Sequence, residues 1–120
     1  MKFVSFILIA FAFVFFSCAI NKKGVFYKEM MKKPTIQVFD NRIVVKTDNS
    51  VWNSALKIYK IDKEININKR TIELKGFQAF GKKYRQTFEL KLKNMSHQEL
   101  QKYQFYWVDP DNMKTLLEIE

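Results

Sequence analysis

Thr35-Ile36-Gln37-Val38-Phe39-Asp40-Asn41-Arg42-Ile43-Val44-Val45-Lys46 holds the pattern that decides the fold. Ile36 and Val38 alternate with Thr35 and Gln37. Beyond Asp40-Asn41, Ile43 and Val45 alternate with Arg42, Val44 and Lys46. A period of two belongs to a strand with one face buried. Asn and Asp tolerate positive φ, so an Asx pair between two such runs predicts a hairpin.

The same signals recur toward the C-terminus. Residues 56–61 read as a strand and Asp62-Lys63 as a turn, after which Ile65 and Ile67 alternate with Asn66 and Asn68. Asn68-Lys69-Arg70 turns the chain into residues 71–75, with Ile72 and Leu74 inward; Gly76 and Gly81 bracket Phe77-Gln78-Ala79-Phe80. In residues 88–93, Phe88, Leu90 and Leu92 take one face, and Glu89, Lys91 and Lys93 the other. Ser96-His97-Gln98-Glu99 has capping-box spacing and predicts one helical turn. Tyr103 to Val108 is an aromatic-rich strand, Asp109-Pro110-Asp111-Asn112 a turn and residues 116–119 the closing strand. No long 3.6-residue apolar pattern follows residue 20. The spacing predicts an all-β, Ig-like antiparallel sandwich of about seven short strands.

Toward the N-terminus the composition changes. Met1-Lys2 leads into an apolar run from Phe3 to Phe16, and Phe16-Ser17-Cys18-Ala19-Ile20 closes it with the chain's single cysteine. A positive start, an apolar stretch and a small residue before the break make up a secretory signal. Three accounts of this segment stand side by side: a lipoprotein signal, an ordinary cleaved signal, and a retained membrane helix of barely sufficient length. Basic residues follow the run (Lys22, Lys23, Lys28, Lys32, Lys33) more than they precede it, which disfavours the retained helix for an exported domain. Phe15-Phe16-Ser17-Cys18 resembles the relaxed lipobox of bacterial lipoprotein precursors. That resemblance implies cleavage before Cys18 and acylation of its thiol, palmitate being a typical chain. Ala19 is not acidic, and no acid-rich export signal follows. The resemblance therefore implies the outer membrane of the cell envelope, with the domain facing the periplasm. The expected organisation is a signal at 1–17, a lipidated basic tether at 18–34 and a β-sandwich domain at 35–120.

A second likeness lies near the C-terminus. Phe88-Glu89-Leu90-Lys91-Leu92-Lys93-Asn94-Met95-Ser96, followed by Tyr103-Gln104-Phe105-Tyr106-Trp107-Val108-Asp109, resembles a strand–loop–strand unit of small Ig-like envelope lipoproteins of the YcfL-like group. It spans about residues 86–113. It implies a fold and a setting, and transfers no catalytic residue.

The residues themselves point away from catalysis. His97 is the only histidine and sits in a polar connector, so it lacks the nucleophile and orienting acid of a triad. Zinc needs three or four N/S ligands, which one histidine and one cysteine do not supply. Asp109, Asp111 and Asn112 lack the rest of a calcium loop. Glu64, Glu73, Glu89, Glu99 and Glu118 are expected on solvated faces opposite basic residues. Three glycines leave no phosphate-binding loop. No catalytic residue, metal or cofactor is expected.

The charge is the remaining signal. The chain carries 21 Lys and Arg against 12 Asp and Glu, a formal +9; loss of Lys2 with the signal leaves +8. With one cysteine no disulfide forms within the chain, so core packing alone must hold the fold. Lys82, Lys83 and Arg85 cluster beside Phe80 and Tyr84, and Trp52 lies in a polar loop. Trp52, Lys82, Lys83, Tyr84 and Arg85 are therefore the candidate binding residues. Basic-aromatic clusters also bind nucleic acid, but an envelope protein does not meet it. The expected role is a non-enzymatic binding or accessory module for an envelope protein or anionic glycolipid. The alternative is an inhibitor or immunity-type lipoprotein that blocks an enzyme. The oligomeric state is left open by the sequence.

Overall fold

The structure, a computed structural model, describes residues 23–30, 32–47, 56–83 and 85–120. Within them lie nine strands and little helix: β1 (Lys23–Gly24), β2 (Thr35–Phe39), β3 (Arg42–Lys46), β4 (Leu56–Asn66), β5 (Thr71–Phe80), β6 (Thr87–Lys91), β7 (Gln104–Val108), β8 (Lys114–Leu116) and β9 (Glu118–Ile119). A 3-10 turn covers Tyr27–Glu29 and a single helical turn, α1, covers His97–Leu100. One sheet has the order β6-β3-β2-β9. In the other, β5 is central and pairs with β1, β4 and β7, with β8 beyond β7. The two sheets enclose one core, and the all-β sandwich read from the alternation is the observed fold.

The hairpin expected over residues 35–46 is in place. Phe39 pairs with Arg42, which leaves Asp40-Asn41 as a two-residue loop, and Asn41 takes φ 59. Ile36, Val38, Ile43 and Val45 all point into the core. The loop has a second role. Asn41 N–H donates to the Met95 carbonyl (2.7 Å), its carbonyl accepts from Leu92 N–H (2.8 Å), and its Oδ1 accepts from Met95 N–H (3.0 Å). Asp40 Oδ1 accepts from His97 N–H (2.8 Å). The hairpin tip thus holds the connector between β6 and β7. Asn41→Ala removes the Oδ1 bond and strains a left-handed backbone, whereas Asn41→Gly removes only the bond. Urea melts should show a loss of about 1–3 kcal/mol for Ala and a smaller one for Gly.

The turn signals at Asn68-Lys69-Arg70, Ser96–Glu99 and Asp109–Asn112 also mark real features. Arg70 has φ 54, and Lys69 N–H donates to Asn66 Oδ1 (3.0 Å). Ser96 Oγ accepts from Glu99 N–H (3.2 Å) and caps α1. Asn112 takes φ 70, and its N–H donates to the Asp109 carbonyl (2.8 Å).

Several expectations need correction. The closing strand read over 116–119 is split at Leu117 into β8, which pairs with β7, and β9, which pairs with β2 in the other sheet. Asp62-Lys63 is not a turn: β4 runs through it, with Asp62 opposite Lys75 and Lys63 opposite Leu74. A continuous ladder with β5 outweighs the turn preference of one Asp. β5 likewise continues through Gly76. The sheets are mixed rather than antiparallel, because β7 runs parallel to β5 and β9 parallel to β2. Alternation reports which face a residue takes, not the direction of its partner. Finally, the described residues from Lys23 to Met30, with Pro34, belong to the sandwich, so the tether expected over 18–34 gives way to structure by Lys23. β1 pairs with β5 (Lys23 opposite Gln78), and Val25, Met30 and Pro34 are buried.

The tightest packing lies where β1 and β7 share one edge of β5. β7 covers Thr71 to Leu74 and β1 covers Phe77 and Gln78, with Gly76 between them. Trp107, fully buried, lies across this gap: a Cβ on Gly76 would sit 2.5 Å from its Cη2. Trp107 Nε1–H donates to the Val25 carbonyl (2.9 Å), and Val25 N–H donates to the Gly76 carbonyl (3.1 Å). Glycine is needed here because the indole occupies the space of a side chain.

Candidate functional site

Strand directions bring distant basic residues to one end of the sandwich. β5 finishes at Phe80 and β6 starts at Thr87. Thr87 pairs with Lys46 at the end of β3, and Lys46 pairs with Thr35 at the start of β2. Lys23 in β1 joins the same end through its pairing with Gln78. The sequence separates these residues widely; the topology gathers them.

A cleft of about 420 Å³ opens at this end, lined by Lys32, Lys33 and Lys46 together with Thr35, Thr87 and Glu120. Lys33 Nζ is held by the carbonyls of Tyr27 (3.0 Å) and Met30 (3.1 Å) and lies 4.7 Å from the Tyr27 ring centre. Glu120 accepts from Thr35 Oγ1 (2.8 Å) and from Lys46 Nζ (3.1 Å). Those bonds, Thr35 first and Lys46 second, hold the Glu120 carboxyl below its ordinary value of 4.5. A depressed carboxylate stabilises the fold above its unfolded pKa, and the contribution disappears as pH falls through the folded one. Stability should therefore fall as the pH drops below about 4.5, and Glu120→Gln should flatten that part of the curve. Salt should shrink the difference, since the pair is exposed. Melting temperature against pH for the two proteins is the check.

Three lysines around one concavity would suit an anion, a phosphate or carboxylate, with lysine acting as a point charge, and such an anion would compete with Glu120 for Lys46. At the same end of the sandwich, Phe80 is 55% exposed and leads through Gly81 into Lys82, Lys83 and Arg85, all exposed. Lys82 Nζ lies 4.7 Å from the Tyr59 ring centre, and the Arg85 guanidinium 4.7 Å from that of Phe88. Such contacts at exposed sites contribute about 0.5–1 kcal/mol each and hold the cations in place. Three expected site residues (Lys82, Lys83 and Arg85) thus lie together. Cys18, Trp52 and Tyr84 fall outside the described residues. Lys46, Thr35 and Glu120 were missed by the sequence reading, because each looks like an ordinary outward strand position.

The other candidates have structural accounts. His97 is exposed, and its ring contacts the Gln101 side-chain amide (3.3 Å) rather than an acid. Asp109 Oδ1 accepts from Tyr27 N–H (2.8 Å) and Asp111 Oδ1 from Met113 N–H (3.2 Å), so both oxygens are committed to backbone donors. Glu64 stands directly opposite Glu73, where a basic partner was expected. Lys114 reaches Glu73 at 2.9 Å and offsets that repulsion. Among the described residues no group of His, Cys, Asp or Glu is arranged to hold a metal ion.

Comparison with known families, with curated proteins and with solved structures finds no match for this chain.

Proposed function

We propose that the protein is a small membrane-anchored lipoprotein of the cell envelope, a non-enzymatic binding module whose basic end engages an anionic glycolipid or an envelope protein. The anchor is an acylated Cys18 in the outer membrane, with the domain on the periplasmic side. The observation that carries the binding role is the gathering of Lys32, Lys33 and Lys46 around one cleft, with Lys82, Lys83 and Arg85 at the same end of the sandwich. Two or more acyl chains would hold the domain stably, since one alone binds marginally. Local concentration then does what intrinsic affinity need not.

The compactness of this charged end also favours the second reading, an inhibitor or immunity-type lipoprotein. A cationic patch of this kind complements an acidic active-site cleft. A photo-crosslinking residue at position 83, in intact cells, separates the two. Recovery of a glycolipid or a non-catalytic envelope protein supports the first reading, and recovery of an enzyme through its active-site cleft supports the second. The anchor is tested by metabolic labelling with a fatty-acid analogue: wild type should be labelled and Cys18→Ala should not. Equal labelling of the two, or none of either, refutes the anchor.

A further inference from the structure

We propose that the basic end of the sandwich lies flat against the anionic surface of the membrane that holds the anchor, with Phe80 at the lipid interface. This inference rests on the lipid-anchor reading and adds an orientation and a partner to it.

Chain length sets the first constraint. Lys23 is the first residue of β1, and Cys18 precedes it by five positions. A chain extends at most about 3.6 Å per residue, so Lys23 stays within roughly 18 Å of the anchoring sulfur. The entry is also clamped. Val25 is 1% exposed, its N–H donates to the Gly76 carbonyl (3.1 Å), and Gly24 packs against Pro110. The domain therefore has a short leash fixed at one end. That end is the one where β5 terminates in Phe80. The other end of β5, at Thr71 and the Ile67–Arg70 turn, lies about 30 Å away along the strand.

Surface chemistry sets the second. Phe80, a large exposed apolar residue, is followed at once by Lys82, Lys83 and Arg85, with Lys60 near Phe77 on the adjoining face (5.8 Å to the ring centre). A soluble partner's pocket selects for shape. A membrane interface selects for an aromatic at the headgroup level with cations around it, which is what this end presents. Basic side chains near an anionic leaflet add attraction that falls off within a Debye length, about 8–10 Å at physiological salt, and a leash of this length lets them come within that range.

The test uses full-length lipidated protein in vesicles. The anchored protein has its only native thiol blocked, so a single new cysteine at Phe80→Cys or Ile67→Cys takes a polarity-sensitive, thiol-reactive dye alone. Both positions are exposed, at 55% and 72%, so neither substitution disturbs the core. In vesicles of phosphatidylglycerol and phosphatidylethanolamine, the dye at 80 should shift to the emission of an apolar setting and the dye at 67 should not. Phosphatidylcholine vesicles should abolish the shift. So should Lys82→Gln, Lys83→Gln and Arg85→Gln combined, which together weaken surface attraction by on the order of 100-fold. If the protein floats with the vesicles yet the dye at 80 stays water-like, or behaves as it does at 67, the docking inference is overturned and the anchor stands. If the wild type itself takes the dye at Cys18 and fails to float, the anchor reading falls and the inference with it.

Discussion

Trp107→Ala is expected to cost about 3–5 kcal/mol, enough to leave the domain near the edge of folding. Three losses add up. The indole is fully buried between β7, β5 and the entry segment. Its removal empties the largest single volume in the core. It also leaves the Val25 carbonyl without its Nε1–H donor in a buried place. The third loss falls on β1, whose ladder with β5 contains only Lys23 and Gly24, so that the indole's bond is one of the few contacts that fix it, beside Val25 N–H to the Gly76 carbonyl and Gln78 Nε2 to the Gly24 carbonyl. Chemical denaturation should show a lower midpoint. Hydrogen exchange should show residues 23–30 losing protection before β2 and β3 do. Unchanged stability would mean that the entry segment is held by something other than this indole.

Gly76→Ala is the second large effect, and it is coupled to the first. The added methyl would stand 2.5 Å from Cη2 and 2.6 Å from Cζ2 of Trp107, closer than real carbon atoms approach. The ring cannot retreat without breaking its bond to Val25. Overpacking of this kind costs about 1–3 kcal/mol and sometimes more. Trp107→Phe frees the space that the methyl needs. The penalty of Gly76→Ala should therefore be smaller in the Trp107→Phe background than in the wild type, a positive coupling in a double-mutant cycle. Strict additivity of the two substitutions would place the strain elsewhere.

How legible all this was differs from residue to residue. Ile36, Val38, Ile43 and Val45 announce their strands because a half-buried strand must alternate, and Asn41 announces its turn because few side chains accept positive φ. Trp107 was legible as core from the face it shares with Phe105. The purpose of Gly76 was not, since it depends on a side chain thirty-one positions away that meets it only through a parallel pairing. Val25 and Met30 sit among lysines, so the segment reads as a tether with at most a short strand at Val25-Phe26-Tyr27; the strand is instead Lys23–Gly24, on the edge of β5 left uncovered by β7. The basic cluster at Lys82, Lys83 and Arg85 was legible because it is contiguous. Its extension to Lys32, Lys33 and Lys46 was hidden, because a sequence lists charges in order and a sandwich regroups them by strand end.

The proposed role turns on one covalent fact, and intact-mass analysis of protein extracted from native membranes measures it directly. The expected species begins at Cys18 and carries the added mass of acyl chains on that residue. A species that begins at Met1 with an unmodified thiol contradicts the anchor, the orientation at the membrane and the function built on them.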